Sequence, residues 1–148
     1  MKKLFKKFSM VLAAIILGLS SFAFMDNGKA HAYYAGCSKR FHVPNGWQPN
    51  LYHTICVSED ASNVYVTIQQ DKAYYAEVRI NWKMELQRAT KDAWITVGTR
   101  YGWVSHLSPS HRTFTNVLRP GEHMRVLVTF YHEDGSIAKI ASSPIWIR

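Results

Sequence analysis

The chain has 148 residues, 18 Lys and Arg against 10 Asp and Glu, and a formal net charge of +8. With 47% hydrophobic and 14% aromatic residues it can build a packed core, which excludes a disordered chain. Two cysteines allow one pairing and exclude a disulfide-dense scaffold or a multi-thiolate metal site.

The first 32 residues have the layout of a secretory leader. Lys2, Lys3, Lys6 and Lys7 precede an apolar run from Met10 to Phe24, and Ala30-His31-Ala32 closes it as a cut site. Gly18, Ser20 and Ser21 break the run, which falls short of the roughly 20 apolar residues that a membrane span needs. Tyr34-Ala35-Gly36-Cys37 superficially suggests a lipid-attachment site. The bulky Tyr34 and the polar Asp26-Asn27-Gly28-Lys29 argue against it. The expected product is a secreted chain starting at residue 33, a single domain over 33–148. Five basic residues and one acidic residue precede the cut, so the net charge falls from +8 to +4. A surface of that charge favours anionic wall polymers, an anionic membrane surface or acidic proteins through a field that salt screens, and it is too weak to argue for nucleic acid.

Export lets a disulfide persist. Cys37 and Cys56, with eighteen residues between them, are expected to pair and to close an N-terminal segment, 37–56. A loop of that size stabilises by roughly 3 kcal/mol in the chain-entropy account. Asn45-Gly46 marks a turn inside it. Val64, Val66 and Ile68 alternate with polar residues through 64–70. The strongest pattern is 75–87, YAEVRINWKMELQ, where Ala76, Val78, Ile80, Trp82, Met84 and Leu86 share one side. A period of two is a strand with one buried and one wet face. Short strands are predicted at 94–97 and 114–118. The alternating segment 124–131 runs into Asp134-Gly135, a pair suited to a tight hairpin. Residues 137–141 and 145–147 then return antiparallel, with Pro144 interrupting the ladder. No segment after the leader has a helical period with caps. Short strands at regular spacing imply an all-β sandwich or barrel.

Leu118-Arg119-Pro120-Gly121-Glu122-His123-Met124-Arg125-Val126 resembles the L-x-P-G-x-x-Y-x-V turn-into-strand motif of fibronectin type III and related immunoglobulin-like domains, and YHEDGS resembles the loop between their last two strands. The resemblance spans roughly residues 60–148 and implies an all-β, immunoglobulin-like (fibronectin type III-like) antiparallel β-sandwich, here preceded by a cleavable signal helix. Met124 stands where that family has a tyrosine. It fills the volume but cannot supply the hydroxyl that ties the corner to the backbone. The lysine-rich leader ending in AHA resembles those of small secreted proteins of Gram-positive bacteria.

Function is less legible. The stretch 98–113 is long for a connection and holds Arg100, Tyr101, Trp103, His106, His111 and Arg112. Flat aromatic faces beside hydrogen-bonding groups suit sugar rings, and aromatic and arginine side chains anchor protein interfaces. Arg100, Tyr101, Trp103 and Arg112 are therefore the expected ligand-binding residues, against the alternative that Trp103, Val104 and Leu107 only cap the core. Trp47, Tyr52 and His53 form a second such group. The histidines lack zinc-ligand spacing, so no metal and no cofactor is expected. No GxSxG occurs, and the paired acids Glu59-Asp60 and Glu133-Asp134 fall in turns, so no catalytic residue is assigned. The leading expectation is a secreted, monomeric binding module of the cell envelope or extracellular space, with no nucleic acid partner and no enzymatic activity. A membrane-active antibacterial or inter-bacterial effector and a small cell-wall hydrolase are the competing readings.

Overall fold

The computed structural model describes residues 33–45, 51–72, 77–118 and 121–148. The leader, its expected helix and cut site, Gly46 and Trp47 lie outside them. The described residues form ten strands and no helix: β1 (Tyr33–Cys37), β2 (Phe41–His42), β3 (Tyr52–Glu59), β4 (Val64–Gln70), β5 (Ile80–Ala89), β6 (Trp94–Val104), β7 (Ser110–Phe114), β8 (His123–Tyr131), β9 (Ile137–Ser142) and β10 (Trp146–Ile147).

Two antiparallel sheets result. In the first the order is β1-β3-β4-β7, with β2 sharing the outer edge of β3 beside β1. In the second it is β6-β5-β8, with β9 and β10 dividing the far edge of β8. Pro144, between β9 and β10, sits where that edge breaks.

Alternation decides what lies between the layers. Ile55 and Val57 on β3 and Val64, Val66 and Ile68 on β4 are buried, as are Trp82, Met84 and Leu86 on β5 and Val126, Val128 and Phe130 on β8. Each fully buried side chain of this size contributes about 1.5–3 kcal/mol by leaving water. The ladder of β5 runs from Ile80 to Ala89; Tyr75 and Ala76 of the sequence pattern lie outside the described residues.

Three polar ties fix the ends. Cys37 and Cys56 are register partners in the β1–β3 pair and are joined by a disulfide. In the β3–β4 turn, Asp60 accepts the Ser62 and Asn63 amides at 2.8 and 2.7 Å and the Tyr65 hydroxyl at 2.5 Å. Those bonds, Tyr65 first, hold its carboxyl well below the usual carboxylate range. At the other end of the chain the guanidinium of Arg148 is enclosed. It donates to Glu59 Oε2 at 2.6 Å and to the Val117 carbonyl at 3.1 Å, while the Trp146 indole donates to the same Glu59 oxygen at 2.9 Å. The end of β3 is thereby bound to β10 and to the segment before β8.

Asp134-Gly135 makes the expected β8–β9 hairpin. Gly135 adopts a φ of 84°, and Asp134 Oδ1 accepts the Ser136 amide at 2.9 Å. Two predicted elements differ. The strand foreseen at 94–97 continues to Val104, and the strand foreseen at 114–118 instead occupies Ser110–Phe114. Segment 98–113 is thus two edge strands joined by residues 105–109, and not one long loop.

Candidate functional site

β6 is the edge strand of the second sheet, and its pairing with β5 sorts the expected binding residues. Val104, Gly102, Arg100 and Gly98 stand opposite Ile80, Trp82, Met84 and Leu86, so they face the other sheet. Trp103, Tyr101 and Thr99 stand opposite Asn81, Lys83 and Glu85, on the outer face. Consecutive strand residues point to opposite faces. Arg100 therefore cannot act on the same side as its neighbour Tyr101. On β7, Arg112 pairs with the buried Val66 and also faces inward. The structure brings Tyr101 and Trp103 together, and separately Arg100 and Arg112, but not all four.

The two arginines occupy a seam where β6 and β7, the edge strands of opposing sheets, meet. Arg100 lies 4.8 Å from the Phe114 ring centre and Arg112 lies 5.2 Å from that of Trp82. Two glycines make room. A Cβ at Gly98 would come 2.8 Å from Phe114 Cδ1, and one at Gly102 would come 2.6 Å from Arg112 Nη2. The spacing Gly98-x-Arg100-x-Gly102 is the sequence trace of this interlock, legible only once β7 is known to lie against β6.

On the outer face the aromatics are open to solvent. Tyr101 is 67% exposed and Trp103 38%. The guanidinium of Arg79 stacks 4.5 Å from the Trp103 ring centre. It is held there by Glu77 at 3.5 Å, whose carboxylate also accepts the buried Ser105 hydroxyl at 2.6 Å. The Ser105 bond, ahead of Arg79, lowers the Glu77 pKa. A second pair repeats the arrangement at the other end of the strand. Arg125 lies 4.2 Å from the Trp94 ring centre and donates to Gln87 Oε1 at 2.9 Å. Between the two pairs, Lys83 meets Glu85 at 3.1 Å, and that hydrogen bond is the first cause raising the Lys83 pKa. Tyr131 on β8 and the exposed Ile137 and Ile140 on β9 continue the face sideways. Sequence reading missed Arg79, Trp94, Arg125 and Tyr131. The wet side of the 75–87 pattern contains Arg79 but gives no hint of its ring partner.

Of the second expected group, Trp47 lies outside the described residues, and His53 is not a surface residue. His53 is fully buried between Phe41 and Phe130, at ring distances of 6.1 and 5.2 Å, and its Nε2 meets Gln70 Oε1 at 3.1 Å. Burial pushes its pKa down to about 4. Tyr52 is half-buried with Arg40 stacked 4.1 Å from its ring centre, and Arg40 pairs with Asp71. His111 is exposed and meets Thr67 Oγ1 at 3.0 Å.

No protein-family model and no curated protein matches the chain. Among solved structures it is similar to an endonuclease/exonuclease/phosphatase from Beutenbergia cavernae DSM 12333, at 11% identity and a TM-score of 0.46. That likeness covers 75% of this chain and 27% of the other, about a quarter of its length.

Proposed function

We propose that the protein is an exported binding module whose working surface is the outer face of the second sheet, centred on Tyr101 and Trp103. Its partner is a glycan polymer of the cell envelope. The observation that carries this reading is the open indole–phenol pair with Arg79 stacked on the indole. Tryptophan is highly buried on average, so a Trp left open on a flat strand face signals a use. Around Tyr101 and Trp103 the charged groups are already paired with each other, Arg79 with Glu77 and Lys83 with Glu85, while Arg125 at the far end of the strand is bonded to Gln87. Flat rings with Asn81 and Thr99 beside them are what remains for a ligand, and sugar rings offer CH faces and hydroxyls to match.

The disulfide is compatible with an extracellular location, and the leader's layout, with Ala30-His31-Ala32 closing it, supports removal after Ala32 and release. The immunoglobulin-like reading is supported by chain order. A hairpin in the first sheet (β3–β4) precedes one in the second (β5–β6); β7 then returns beside β4, and the last strands follow β8 beside β5.

Co-sedimentation with protein-free cell walls tests the proposal. The protein should pellet with the wall polysaccharide, and Trp103→Ala and Tyr101→Ala should each weaken retention by about tenfold, near 1.4 kcal/mol, without lowering the melting temperature. Retention that survives both substitutions, or none by the unaltered protein, overturns it.

A further inference from the structure

At one end of the seam between β6 and β7 the sheets do not close. A cleft of about 300 Å³ opens between Val97–Arg100 and Phe114–Leu118, a volume at the lower end of small-molecule sites. Its floor, Leu86, Met124 and the Phe114 ring, is closed to solvent, so the apolar surface a ligand can touch is that of the exposed Val97 and Leu118 and the half-buried Val117. Gly98 shapes the wall, because a side chain there would collide with the floor ring.

Charge in this cleft is unbalanced. Arg88 on one wall is paired with Glu122 at 3.1 Å. Arg100 lies over Phe114 and gives a hydrogen bond to the Thr99 carbonyl at 2.9 Å, and among the described residues it has no carboxylate partner. A guanidinium resting on an aromatic face leaves its remaining edge N–H groups available to the oxygens of a carboxylate or phosphate. An apolar rim beside one uncompensated cation is complementary to a molecule with an anionic head and a short apolar body.

We infer that this cleft is a binding site for an amphipathic anion, its carboxylate or phosphate head on Arg100 and its hydrocarbon or aromatic body against Val97, Val117 and Leu118. The site lies on the inward side of β6, whereas the glycan surface lies on its outward side, so either can fail without the other.

The test is a titration of the full-length protein followed by two-dimensional NMR, with octanoate and octyl phosphate as probes and octanol as the neutral control. At least one anion should give saturable shifts at Val97, Val117 and Leu118, and whichever binds identifies the head group. Octanol should bind at least about tenfold more weakly, the factor that 1.4 kcal/mol represents. Arg100→Gln should cost a similar factor. Val97→Asp places a negative charge on the exposed rim, leaves the core untouched, and should weaken both anions. The inference is overturned if neither anion saturates below about 10 mM, short of even millimolar affinity. Octanol matching the anions, or either substitution leaving their affinity unchanged in a folded protein, also overturns it.

Discussion

Gly102 faces the ring of Trp82 across the β5–β6 pair with no space for a side chain between them: a Cβ would lie 2.7 Å from Trp82 Cζ2. The ring is fully buried and stiff, so it cannot yield as a flexible chain end would. Gly102→Val is expected to destabilise the fold by about 1–3 kcal/mol, the range for overpacking. Thr99→Val, on the outer side of the same strand, should change stability by less than about 0.5 kcal/mol. Equal denaturation midpoints for the two variants would show that the seam is looser than described.

Arg148 and Glu59 form an enclosed ion pair, with side-chain exposures of 0% and 6%. Removing one partner leaves an uncompensated charge away from water. Arg148→Met or Glu59→Gln alone should each cost about 3–5 kcal/mol in urea unfolding. The double variant should lose less than the two single losses together, because neither orphan remains. Simple additivity would contradict the pairing.

Acid should weaken the fold in two separate ranges. His53 is neutral in the folded state down to about 4, chiefly through burial, opposed by the Gln70 hydrogen bond and the charge of Asp71 and reinforced by His42. The unfolded chain binds this proton near pH 6.5, so between 6.5 and 4 it holds more protons than the folded one. Stability therefore declines as pH falls through that window, by up to about 3 kcal/mol. Asp60 and Asp134 have lowered pKa values, so their contributions are present above the ordinary carboxylate range and are lost only below it. Urea midpoints at pH 7, 5.5 and 4.5 read the first window. In His53→Phe, which keeps a ring between Phe41 and Phe130, that slope should vanish.

Replacing both Cys37 and Cys56 by serine removes the tie between β1 and β3. The expected loss is about 2–4 kcal/mol. In hydrogen exchange the β1 amides should lose protection first, since β1 lies at the sheet edge, while the β3–β4 ladder keeps its own. An unchanged melting temperature would mean that the crosslink adds nothing to the fold.

The parts legible in sequence were those with local causes. The β5 face showed itself because its inward residues repeat every second position, and the Asp134-Gly135 turn because only a glycine takes that φ readily. β6 beyond Val97 was not legible. Gly98, Arg100 and Gly102 do not read as inward strand residues, since what they make room for, Phe114 and Arg112, arrives from β7. The same long-range cause split the expected site: face alternation separates Tyr101 and Trp103 from Arg100 and Arg112, and the stacking of Arg79 on Trp103 depends on register. His53 looked like a surface group by composition and is core because Phe41 and Phe130 close over it.

The central claim is tested most directly by the indole N–H signals of the protein titrated with soluble wall glycan fragments. Trp103 and Trp94, on the outer face, should shift and saturate together, while the enclosed Trp82 and Trp146 stay still. Saturating glycan that leaves the Trp103 signal unmoved, or that moves Trp82 instead, would contradict the account.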